Sequence, residues 1–199
     1  MAGSMKNIIS RCFVNAIQVT DRFHVQKLAN QALQDIRVQE RWKALDIENS
    51  LILQARKEGK VFIDKEFENG DTAKQLLIRS RYLLAMDATK WTINQQQRAK
   101  ILFKEYPLIY QAYALTQKLR DIYNRTTIKG VAYTKLAHWY NEVQNTGLKQ
   151  FNSVTNTIQL NYRTILNYFD NRSTNASAES FNAKLKSFRA TFRGVDDVK

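Results

Sequence analysis

Turn-forming residues are scarce in this chain, with six glycines and one proline in 199 residues. So few breakers favour long helices and argue against a sheet-rich fold. The single cysteine, Cys12, excludes an internal disulfide framework and points to a reducing compartment. Its expected place is in the interior, as a small apolar side chain. No apolar run approaches the roughly 20 residues of a membrane-spanning helix. The opening Met1-Ala-Gly-Ser-Met-Lys6 lacks the basic-then-apolar order of a secretory leader. Cysteine and histidine do not cluster at zinc-ligand spacing, and Cys12 with His24 or His138 matches no thiol-nucleophile signature. A glycine-rich phosphate loop and a Gly-x-Ser-x-Gly elbow are also absent.

Acidic residues are outnumbered as well. Thirty-one Lys and Arg against 18 Asp and Glu give a net charge of +13 and a pI near 9.9. An excess of this size suggests a polyanionic partner, most simply nucleic acid, with an anionic membrane surface as the rival. The cations of the middle of the chain, among them Arg37, Arg41, Arg56, Arg79, Arg98 and Arg120, are dispersed rather than gathered in one run. Singly they read as solvated positions. Together they would attract phosphates without sequence preference. A hydrophobic content of 44% suffices for a real core, so the chain is expected to fold, as one large domain or two small ones.

Hydrophobic spacing predicts a short helix over residues 4–13 and one strand over 16–20. A lone strand makes no sheet, so its partners lie elsewhere or the assignment fails. Helical periodicity runs from Phe23 to about Lys57, with Gly59 as its stop. Val61-Phe-Ile63 suggests a short extended piece. Asp71 or Thr72 could cap a second helix carrying Leu76, Leu77, Leu83 and Leu84. Thr92 or Asn94 opens a third, and Pro107 both interrupts it and suits the first turn of the next, over 108–123. Gly130 and Gly147 bracket a helix through Leu136 and Trp139, and another spans 151–169. The three tryptophans and the Tyr106/Tyr110/Tyr113 series read as helix-packing residues.

The run 173–193, closed by Gly194, sorts at about 100° per residue into two faces. Phe181, Leu185, Phe188 and Phe192 share one. Glu179, Asn182, Lys186, Arg189 and Arg193 share the other. One carboxylate followed on its own face by an amide and three cations suits an acid that holds a metal beside a nucleic-acid backbone. An ordinary amphipathic helix with a solvated face has the same pattern.

At the other end, a buried-strand pattern leads into Asp21-Arg-Phe-His24, followed by Val25-Gln-Lys-Leu28. This resembles the Asp-x-x-His signature of bacterial insertion-sequence transposases of the DDE type, the group with a helical insertion before the last acid. Asn175-Ala-Ser-Ala-Glu-Ser-Phe-Asn182, with Lys184-Leu-Lys186 after it, resembles the glutamate motif of the same family. The resemblance covers nearly the whole chain. It implies a mainly α fold, an all-helical insertion domain (25–170) joined to an incomplete ribonuclease-H-like α/β core (1–24 and the returning helix of 171–199). It further implies that Glu179 is the third catalytic acid and a ligand of Mg²⁺ (or Mn²⁺), since such hard ions need carboxylate oxygens. Asp21 and His24 would be supporting residues, and Asn182, Lys186, Arg189 and Arg193 DNA contacts.

In the family pattern the second acid falls directly before the position of Met1, and the first farther upstream. The resemblance therefore implies the C-terminal part of an enzyme that cuts and joins DNA, inactive alone. Expected partners are transposon ends and target DNA, bound by a homo-oligomer associated with the bacterial nucleoid in the cytoplasm, with no membrane. The alternative is a non-enzymatic basic helical module that binds nucleic acid or docks a partner.

Overall fold

The computed structural model describes residues 11–172 and 176–191, the side chains of the second stretch from residue 180 on. Its first long element is α1 (Arg22–Lys57). Asp21 begins it as N-cap, its carboxylate accepting from the Phe23 amide at 2.9 Å. The helix ends where the periodicity ends. Gly59 is left-handed (φ +67°), and the Gly59 and Lys60 amides donate to the carbonyls of Arg56 and Ala55, closing a Schellman motif.

Short α2 (Ala73–Arg79) and α3 (Ile93–Glu105) both begin with capping boxes, Thr72 with Gln75 and Thr92 with Gln95. Pro107 is the first residue of α4 (Pro107–Arg125), where its missing N–H costs nothing. α5 (Lys129–Thr146) stops at left-handed Gly147, φ +65°. α6 (Asn152–Leu166) bends at Asn161, and the single turn α7 (Tyr168–Asn171) leads to α8 (Ala176–Thr191).

α4 is the central element. Ile109, Ala112, Leu115, Leu119 and Ile122 are buried at helical spacing, mainly against α1 and α5. α1 contributes Val25, Ala29, Ala32, Leu33 and Ile36, and α6 closes the other side with Val154, Ile158 and Ile165. Trp139 on α5 is fully buried, and its indole N–H donates to the Leu115 carbonyl at 2.8 Å.

Several expectations need correction. The described residues contain no strand: 16–20 run without secondary structure, and the Thr20 amide donates to the Thr164 carbonyl at the end of α6 (2.9 Å). Ile17, Val19 and Thr20 are β-branched, but no second strand lies beside them among the described residues. Val61 and Ile63 form no strand either and are exposed. Cys12 is exposed, not interior. Trp42 is also exposed, on a stretch of α1 that buries no residue fully beyond Arg37. The second helix stops at Arg79, and Leu83 and Leu84 are buried from a separate 3₁₀ turn. The helix expected over 4–13 falls largely outside the described residues.

Candidate catalytic junction

The two ends of the helical body meet. The hydroxyls of Thr20 and Thr164 lie 2.6 Å apart, and the Asn167 amide donates to the Gln18 carbonyl at 3.0 Å. The Arg22 guanidinium donates to Asn124 Oδ1 at 2.9 Å, at the end of α4. From the returning side, Arg172 donates to the carbonyls of Tyr123 (2.7 Å) and Asn124 (2.9 Å). These are unsatisfied C-terminal carbonyls of α4, and a cation there also opposes the helix dipole. Arg172 reaches them from a left-handed backbone, φ +51°, the one non-glycine residue with positive φ among the described residues. Lys129 adds bonds to Asn167 and Asp170 at 2.9 and 2.6 Å.

Asp21 sits in this junction, buried, with its carboxylate engaged by the cap of α1. His24, one turn on, is exposed, and only its backbone amide bonds back, to the Asp21 carbonyl at 3.1 Å. The phenol of Tyr123 lies against Tyr168 and Phe169, deeply buried, and its hydroxyl has no hydrogen-bond partner among the described residues. Burial, with smaller contributions from Tyr168 and Asp21, pushes its pKa well above the usual tyrosine value.

Glu179 lies in the first turn of α8, and its side chain is outside the described residues, as is all of Arg193. Asn182, Lys186 and Arg189 project from one face of α8 into solvent. Phe181 and Leu185 on the apolar face are 61% and 41% exposed, so the helical body does not bury that face. Among the described residues no three His, Cys, Asp or Glu side chains come together as a metal-ion site.

Beside the junction a cleft of about 430 Å³ opens between the start of α1, residues 85–90 and the end of α4. Arg22, Lys90 and Arg120 lie on it. Arg22 stacks on the Phe23 ring, 5.0 Å from its centroid. Neither Phe23 nor this cleft, nor the junction bonds of Thr20, Thr164, Asn167 and Arg172, was singled out by the sequence pattern. Each depends on residues far apart in the chain, and only the overall excess of basic residues hinted at the cations.

A cationic helical body whose ends close on one junction suits a protein that handles a polyanion such as DNA. A DDE-class family model of the ISL3 type, described as transposase, matches residues 1–199, and the chain belongs to that transposase family. No curated protein and no solved structure matches it. No helix among the described residues is long and apolar enough to cross a membrane.

Proposed function

We propose that this chain supplies the helical insertion and the last acid of a DDE transposase, which cuts and joins DNA strands by displacement at phosphorus. The meeting of the two ends of the helical body carries the reading. The segments around Thr20 and Thr164, and around Arg22 and Arg172, lie together, as the two connections of an inserted domain must where they leave and rejoin a core. On this reading 25–170 is the insertion, while 1–24 and 171–199 belong to a ribonuclease-H-like core. The apolar face of α8 then packs on that core.

On this reading Glu179, in the first turn of α8, is the third acid, and Lys186 and Arg189 follow the DNA backbone along the same face. Asp21 and His24 support the junction rather than the chemistry, since the Asp21 carboxylate is already used by the cap. A divalent ion, Mg²⁺ or Mn²⁺, stabilises charge on the reacting oxygens when bound. On this reading the chain alone binds DNA without cutting it, and the active enzyme is an oligomer assembled on transposon ends in the bacterial cytoplasm.

The test is a nicking and joining assay of the purified chain on DNA carrying the transposon ends, with Mg²⁺ or Mn²⁺. Binding without cutting is expected. Metal-dependent cutting that Glu179→Gln abolishes would overturn the claim that the chain is inactive alone. A chain that binds no DNA would overturn the whole reading.

A further inference from the structure

We infer that the cleft at the head of α1 holds an unpaired nucleotide of the DNA. This deepens the proposed function and rests on its DNA substrate. The volume, about 430 Å³, lies in the range of sites for single small ligands and is too small to admit a duplex. A phosphate alone would need only cations, yet the lining is mixed. Phe23 is 51% exposed on the cleft, which gives a base an aromatic side chain to stack on. Arg22, Lys90 and Arg120 outnumber the single carboxylate, Asp87, so the cleft is net cationic and suits a phosphodiester.

The donors available to a ligand follow from the hydrogen bonds already made. The Lys90 ammonium acts on Asp87 only through its charge, makes no hydrogen bond or ion pair among the described residues, and is exposed. Arg22 uses one N–H on Asn124, leaving others for phosphate oxygens. Arg120 is anchored by Gln117 Oε1 (2.7 Å) and the Ala85 carbonyl (2.8 Å), which fixes one wall. The Met86 carbonyl accepts from the Tyr113 hydroxyl (3.1 Å) and Gln117 (3.2 Å), so the 85–90 segment is held on α4 before any ligand arrives. Asp87 Oδ1 takes both bonds from Thr89, and Oδ2 remains as an acceptor for an exocyclic amine of a base. Two carbonyls clasped by Arg172, those of Tyr123 and Asn124, belong to residues of the cleft, which places it against the junction where α8 returns.

The test measures fluorescence anisotropy of the full chain with a blunt duplex and with the same duplex carrying an unpaired overhang. The overhang should bind about tenfold more tightly, as one base stacked on an aromatic ring would give. Phe23→Ala should erase that preference while leaving blunt-duplex affinity unchanged, and Phe23→Tyr, which keeps a ring, should retain it. Lys90→Glu, at an exposed position that folding does not depend on, should also reduce the preference and serves if Phe23→Ala fails to fold. Equal affinity for the two DNAs, or a preference that survives both Phe23→Ala and Lys90→Glu, would overturn the nucleotide cleft and leave the transposase reading standing. No binding of either DNA would overturn both.

Discussion

Asp71 has no solvent-accessible surface, and a carboxylate so placed must be paired. It accepts from Arg79, from Arg98 Nε at 2.8 Å and from Asn69 at 2.8 Å. Burial alone would raise its pKa, but the bonds from Arg98 and Arg79 outweigh burial and hold it below the ordinary aspartate value. A depressed folded-state pKa stabilises the fold above the unfolded value and is lost as pH falls through the folded one. Stability should therefore be flat near neutrality and decline below about pH 4, the ordinary aspartate value. In Asp71→Asn that acid-side decline should shrink, as urea denaturation at several pH values would show. Asp71→Ala should cost about 2–3 kcal/mol at neutral pH, below the full cost of a buried pair because Arg79 is half exposed. Tyr123 is the opposite case. Its buried hydroxyl has no hydrogen-bond partner among the described residues, so Tyr123→Phe should gain about 1 kcal/mol in the same measurement. A loss instead would show that the hydroxyl is engaged within the folded chain.

At the scale of elements, the sequence was legible where a boundary is set by a local device. Thr92, Pro107, Gly147 and Gly59 each do their work within a few residues, and the helices start or stop there. The last helix was legible for the same reason, and Lys186 and Arg189 lie exposed on it as one helical period places them. What the pattern missed depends on distant partners. The β-branched residues of 16–20 read as a strand, but what lies beside them is the end of α6. Trp42 read as packed because periodicity does not reveal where a helix loses its neighbours. The cleft joins side chains near positions 23, 90 and 120, and Arg172 pairs with carbonyls 49 and 48 residues away. Arg172 makes two predictions separable. Arg172→Ala removes the clasp but keeps the left-handed backbone, whereas Arg172→Gly removes both the clasp and the strain. Both should destabilise, with Ala worse than Gly by about 1 kcal/mol in urea denaturation. Equal losses would mean that the strain is not felt.

For the whole molecule, the charge of +13 and the family agree on DNA. Dispersed cations bind through counterion release, so log K should fall linearly with log salt by about 0.9 per phosphate neutralised. A slope steeper than about −5, read by anisotropy over a salt series, is expected if the helical body and α8 engage several phosphates together. A slope near zero would point to a partner other than nucleic acid.

The central claim is that Glu179 is the last acid of the transposase, and transposition frequency of the intact element tests it most directly. With Glu179→Gln, frequency should fall by at least about a hundredfold, since losing even an outer-shell partner of a metal can cost that much, while binding of the transposon ends persists. Transposition at the unaltered frequency in the Glu179→Gln element would contradict the account.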